Sequence, residues 1–109
     1  MKDDAIRTRL LSLMNIDSCM GDEEKSQLAS NLRLIIRQAH KDKEESEIDT
    51  TAFHLVLGTD EQGGFHMTFF DNGYKIKGQK ASVRHEALHG LRLKVEELVA
   101  VLVRDGTCW

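Results

Sequence analysis

The chain has 109 residues, 40% hydrophobic and 30% charged, which is the composition of one small globular domain with a single core. Its 18 acidic and 15 basic residues give a formal charge of −3, which excludes a strong, sequence-independent attraction to nucleic acid or to an anionic membrane. Proline and internal repeats are absent, so we expect residues 1–109 to form a single domain.

Cysteine usage and hydropathy predict where the protein works. The first residues lack the apolar run of a signal peptide, and no stretch approaches the roughly 18 apolar residues of a membrane span. Cys19 and Cys108 lie near opposite ends without a C-x-x-C spacing, which favours two reduced thiols over a disulfide. We therefore expect a cytoplasmic protein that has no contact with a membrane.

Two amphipathic helices are predicted in the first part of the chain. The first runs from about residue 3 to residue 16, and its apolar positions recur at helical spacing at Ile6, Leu10, Leu13 and Met14. The second begins at Asp22 and ends in the charged stretch after His40. Its predicted buried face consists of Leu28, Leu32, Ile35 and Ala39, with Ile36 alongside.

From residue 51 the apolar period changes from that of a helix to that of a strand. Three strands are predicted, at about 51–58, 65–70 and 74–78, and Asn72-Gly73 is expected to form a type I′ hairpin turn with two positive φ angles. Short loops pair Leu57 with Met67 and Phe69 with Ile76. This register places seven apolar side chains on one face: Phe53, Leu55, Leu57, Phe65, Met67, Phe69 and Ile76.

The last helix is predicted from about residue 83 to residue 104, with a buried seam of leucine and valine residues. The predicted fold is therefore α+β, in which helices pack on one face of a three-stranded antiparallel meander in the order α-α-β-β-β-α. Residues 98–103 are apolar on every side of this helix. This excess predicts a homodimer interface at Leu98, Val99, Val101, Leu102 and Val103.

One motif in the last helix resembles the H-E-x-x-H signature of zinc-dependent peptidases. In that family two histidines one helical turn apart hold the metal, and the glutamate between them activates water. His85, Glu86 and His89 have this spacing, but the next acid, Glu96, lies about 10 Å further along the helix than His89. Without a third ligand we expect no metal, no cofactor and no catalytic residue, and a minimal zinc hydrolase stays an alternative.

The remaining face of the sheet is predicted to meet solvent or a partner, because the helices cover the other face. Its side chains combine apolar and basic groups, which is typical of a modest interaction surface. We predict that this face binds a partner through His54, Val56, His66, Thr68, Phe70, Lys75 and Lys77.

Residues 27–103 also resemble a double-stranded RNA-binding domain, in which a helix, a three-stranded meander and a second helix follow one another. Lys80 and Arg84 lie near the start of the last helix, where that family carries basic residues that contact phosphates. The resemblance implies binding to duplex RNA as an alternative function.

The favoured hypothesis is a small non-catalytic regulatory protein that acts by binding another protein. Proteins of this size and composition are common among bacterial and phage inhibitors, antitoxins and immunity proteins. The grounds are the incomplete zinc motif, the apolar end of the last helix and the apolar positions on the uncovered sheet face.

Overall fold

A computed structural model of the protein describes residues 4–16 and 18–105. Within them the predicted α+β fold and element order are confirmed. The helices are α1 (Ala5–Leu13), α2 (Asp22–Ala39) and α3 (Ala87–Arg104), and the strands are β1 (Phe53–Thr59), β2 (Phe65–Asp71) and β3 (Tyr74–Lys77). The predicted positions 1–3 and 106–109 lie outside the described residues.

The sheet has the order β1-β2-β3, with both pairs antiparallel. Leu57 pairs with Met67 and Phe69 with Ile76, so the predicted register is correct in both hairpins. The turn differs in detail from the prediction, because Asn72 has a left-handed φ of 55° whereas Gly73 does not. Asparagine tolerates this conformation, so one residue is enough to reverse the chain here.

The helices form two layers on one face of the sheet. Helix α3 lies across β2 and β3, α1 contacts β1, and α2 packs against α1 and α3. The side chains at the centre are almost fully buried and come from every layer: Ile6, Leu10, Met14, Leu28, Leu32, Ile36, Phe53, Phe69, Leu88, Leu91 and Val95. Because all three helices lie on this side, the opposite face of the sheet is left without a covering layer among the described residues.

Two helices are shorter than the sequence predicts. Helix α1 ends at Leu13 instead of residue 16, and α3 begins at Ala87 instead of residue 83. The second difference has a tertiary cause: Ala81 exchanges two backbone hydrogen bonds of 2.8 Å with Phe65, which keeps the chain extended through Val83. A 3₁₀ turn at Arg84–Glu86 then leads into the helix.

The segment after β3 crosses α3 at very short range. The Gln79 amide donates a 3.0 Å hydrogen bond to the Gly90 carbonyl, and a Cβ on Gly90 would overlap the Gln79 carbonyl oxygen. A Cβ on Gly78 would lie 2.8 Å from the Leu91 Cα. Two glycines therefore permit the helix and the connecting chain to touch backbone to backbone.

Candidate binding surfaces

The structure brings the seven predicted partner-binding residues together on the uncovered face of the sheet. Cross-strand pairs join His54 with Phe70, Val56 with Thr68 and Thr68 with Lys77. Four of the seven are exposed and three are half-buried, and Val56 exposes 49% of its surface. A shallow hollow of about 350 Å³ lies in this face, lined by Ala52, His54, Val56, Phe70 and Asn72. We call these seven residues the outer sheet face.

The outer sheet face has a different charge balance from the rest of the chain. It carries two lysines and two histidines and no acid, although the whole chain has a formal charge of −3. Neither Lys75 nor Lys77 takes part in an ion pair among the described residues. Their charges are therefore available to an acidic partner.

His66 differs from the other outer-face residues because its ring is engaged within the protein. Its Nδ1 lies 3.0 Å from the Gly78 carbonyl oxygen and its Nε2 lies 3.3 Å from the Asp60 carboxylate. Asp60 also accepts hydrogen bonds from the amides of Gln62 and Gly64. His66 thus ties the loop between β1 and β2 to the chain that leaves β3.

The Asp60 carboxylate is expected to make the stability of the protein depend on pH. The hydrogen bond from the Gly64 amide, with smaller contributions from Gln62, His66 and Lys80, lowers the pKa of Asp60 below its ordinary value of 3.8. A pKa that is lowered in the folded state stabilises the protein at pH values above the ordinary pKa. This contribution disappears as the pH falls through the lowered pKa. Asp60→Ala should therefore lower the urea midpoint at pH 7 more than at pH 3 or below.

Urea denaturation of wild type and Asp60→Ala across this pH range measures the effect. Asp42→Ala, which removes an exposed acid without hydrogen-bond or ion-pair partners among the described side chains, should leave the neutral-pH midpoint unchanged. A midpoint difference for Asp60→Ala that is the same at neutral and acidic pH would contradict the expectation.

The H-E-x-x-H motif lies across a boundary between two kinds of helix. His85 and Glu86 belong to the 3₁₀ turn, and His89 belongs to α3, so the prediction that both histidines lie on one α-helix is wrong. The His85 carbonyl oxygen accepts a 3.0 Å hydrogen bond from the Cys19 amide. Among the described residues no three His, Cys, Asp or Glu side chains come close enough to hold a metal ion.

The two bases suggested by the RNA-binding resemblance do not act together. Lys80 reaches back to the loop between β1 and β2, where its Nζ lies 3.1 Å from the Gln62 Oε1 and 3.8 Å from an Asp60 carboxylate oxygen. Arg84 instead borders an apolar groove on the helical side of the sheet. The structure therefore directs these two side chains to different places.

That groove, which the sequence did not predict, has a volume of about 690 Å³. Its lining consists of Leu13, Ile16, Leu55, Leu57, Met67, Arg84 and His85. The early end of α1 and the late start of α3 explain it, because both shortened ends border the groove and leave two β1 leucines half-buried. Helix bounds set by tertiary contacts are poorly predicted from local periodicity.

Most of the predicted dimer interface on α3 is used inside the protein. Leu98, Val99 and Leu102 pack against the core, and Val101 is half-buried. Val103 is the exception, with 61% of its surface exposed. The apolar side chains at residues 98–103 therefore divide between contacts with the core and exposed surface, and a dimer interface there stays a prediction.

A pair of polar side chains, one buried and one half-buried, joins the end of α2 to the second hairpin. The Asp71 carboxylate, in a residue only 4% exposed, lies 2.7 Å from Nε2 of His40 at the end of α2. Nothing in the local sequence pattern indicates the burial of Asp71 or its partner.

None of the described helices is long and apolar enough to cross a membrane. Comparisons of the chain with protein families, with curated proteins and with solved structures give no match.

Proposed function

We propose that this protein is a non-catalytic binding domain that regulates another protein by docking an acidic, partly apolar segment of it on the outer sheet face. The observation that carries the proposal is the charge of that face: its seven residues include no acid and two lysines without an ion pair among the described residues, in a chain of net charge −3, and Asp60 borders the face only at His66.

The geometry of the outer sheet face suits this role. Val56 is half-exposed and the Phe70 ring borders the hollow beside it, so an apolar side chain of a partner has a place to insert. Lys75 and Lys77 lie on β3, beside the strand that carries Phe70. Acidic groups on either side of the partner's apolar side chain would lie within reach of these lysines. The arrangement joins an apolar centre to a basic rim, as in many protein–protein interfaces.

The proposal assigns no chemical reaction to the chain. Among the described residues, no third metal-ligating side chain joins His85 and His89. An inhibitor, antitoxin or immunity protein of bacterial or phage origin, working in the cytoplasm, is the class that this reading favours.

Selection from a displayed library of short random peptides tests the proposed function. We expect the selected peptides to be rich in Asp and Glu beside an apolar residue, and to bind less tightly as salt increases. The double variant Lys75→Glu and Lys77→Glu should weaken this binding by about tenfold or more.

The matched control is the double variant Lys41→Glu and Lys43→Glu, which changes two exposed lysines after α2 by the same amount of charge and should bind the peptides nearly as well as wild type. Selected peptides without acidic enrichment, or equal losses in the two double variants, would contradict the proposal. Binding to a short RNA duplex that is lost in Lys80→Ala and Arg84→Ala would replace it with the RNA-binding alternative.

A further inference from the structure

The two edges of the sheet differ in their protection against further strand pairing. Strand β3, at one edge, carries Lys75 and Lys77. Strand β1, at the other edge, has the sequence FHLVLGT, with no Asp, Glu, Lys, Arg or Pro in seven residues. Natural proteins usually defend an exposed edge with charge, proline, a bulge or a covering helix or loop. Strand β1 has no charge, proline or bulge, and α1 contacts it from the helical side of the sheet.

The hydrogen bonds of β2 show which backbone groups of β1 face outward. Phe65 exchanges both of its backbone hydrogen bonds with Ala81, and the Met67 carbonyl accepts from the Gly78 amide, so these residues are bonded away from β1. Antiparallel pairs alternate between bonded and non-bonded positions. The partners Thr59 and Leu57, and Leu55 by the same alternation, therefore direct their N–H and C=O groups away from the sheet.

This outward row has little covering among the described residues. The Phe53 carbonyl, at one end, accepts a 3.4 Å hydrogen bond from Arg9. The backbone groups of Leu55 and Leu57 have no such side-chain partner in the described hydrogen bonds, and their side chains line the groove. Val56, between them, exposes 49% of its surface on the opposite face. Among the described residues, the middle of β1 thus has outward backbone groups without a hydrogen-bond partner and one exposed valine on its outer face.

We propose that β1 pairs with β1 of a second copy of this chain, in antiparallel orientation about a two-fold axis through Val56. In this register Leu55 lies opposite Leu57 of the second copy, and each such pair exchanges two backbone hydrogen bonds. Val56 lies opposite Val56 of the second copy at a non-bonded position, where cross-strand side chains are closest.

The composition of β1 favours a second copy as the partner. Identical strands repel each other when like charges meet across the two-fold axis, and β1 holds no Asp, Glu, Lys or Arg. His54, its most polar large side chain, falls opposite Gly58 of the second copy, which has no side chain to crowd it. The seven residues are therefore complementary to themselves in this register.

Pairing in this way would join the two sheets into one of six strands and cover the leucines of both grooves. It would also move the predicted dimer contact from α3 to β1. Val56 and His54 belong both to this contact and to the hollow of the outer sheet face, whereas Lys75 and Lys77 lie on the opposite edge strand and belong to the proposed acidic partner's site alone.

Sedimentation at high micromolar concentration tests the dimer. We expect wild type to sediment with a mass of about 25 kDa, twice the 12.4 kDa of the chain. Val56→Lys, which brings two positive charges together at the axis, should weaken the dimer by about tenfold or more. Val103→Lys, which introduces the same charge at an exposed valine of α3, should leave it unchanged.

A cysteine cross-link tests the register and does not depend on a destabilising change. In a background of Cys19→Ser and Cys108→Ser, Val56→Cys should form a disulfide-linked dimer on mild oxidation, because directly opposed non-bonded positions have a Cα separation that suits a disulfide. Val103→Cys in the same background should remain monomeric on a non-reducing gel. A monomeric wild type, or cross-linking at Val103 and not at Val56, would overturn the inference.

Discussion

Replacing Gly90 by alanine is expected to lower the free energy of unfolding by about 1–3 kcal/mol, the range for overpacking a well-packed site. In an open helix position the same change would stabilise the protein by up to about 1 kcal/mol, because alanine has the higher helix propensity. Here the new Cβ would overlap the Gln79 carbonyl oxygen, which belongs to the backbone and has no rotamer that removes it. The steric effect therefore reverses the sign that propensity alone predicts.

Urea denaturation of Gly90→Ala measures this effect, and Gly73→Ala is the control. A Cβ at Gly73 meets no atom within 4 Å, so this substitution should change the free energy of unfolding by less than about 1 kcal/mol. The double variant Gly90→Ala with Gln79→Ala should be no more stable than Gly90→Ala, because shortening the Gln79 side chain leaves its backbone in place. A stabilised Gly90→Ala would show that the crossing is looser than described.

The second large effect is expected at the pair formed by His40 and Asp71. His40→Ala removes the group 2.7 Å from a carboxylate in a residue only 4% exposed, and an unsatisfied buried charged group destabilises by about 2–3 kcal/mol. The exposed pair of Lys94 and Glu97 is the comparison, with a separation of 3.7 Å. Lys94→Ala should destabilise by less than about 1 kcal/mol, since surface ion pairs contribute little.

A double-mutant cycle separates the interaction between the two side chains from the effect of each truncation. Once His40 is absent, removing Asp71 also removes the unsatisfied carboxylate, so the double variant should be more stable than the two single effects predict. We expect a coupling free energy of at least about 1 kcal/mol. Additive single effects, within about 0.5 kcal/mol, would mean that the side chains do not depend on each other.

The hairpins were predictable because two independent local signals agree on their register. Alternation of apolar residues assigns each strand a buried face, and the loop lengths then fix which residues lie opposite each other. Leu57 with Met67 and Phe69 with Ile76 follow from these signals alone. The same alternation places His54 and Val56 on the outer sheet face, so the residues of that candidate site are predictable from the sequence.

The apolar groove and the close backbone contacts at Gly78 and Gly90 could not be predicted in the same way. The start of α3 depends on the bridge from Ala81 to Phe65, which joins residues far apart in sequence. Gly90 is needed because the backbone of Gln79 lies against it in the folded protein. The sequence around either residue does not indicate this contact. The contact of His66 with the Asp60 carboxylate was equally unpredictable, because it forms only when the loop around Asp60 is folded.

The pair formed by His40 and Asp71 connects two parts of the chain that an exposed stretch separates in sequence. The exposed stretch 41–44 separates the two N-terminal helices from the sheet and α3. Contacts of α2 with α3 and of α1 with β1 join these halves, and the pair of His40 and Asp71 fastens them beside the exposed stretch itself. Backbone continuity at residues 41–44 is therefore not what holds the halves together. The chain resembles two complementary fragments joined by an exposed linker, and a chain cut within this stretch is expected to give two fragments that reassociate.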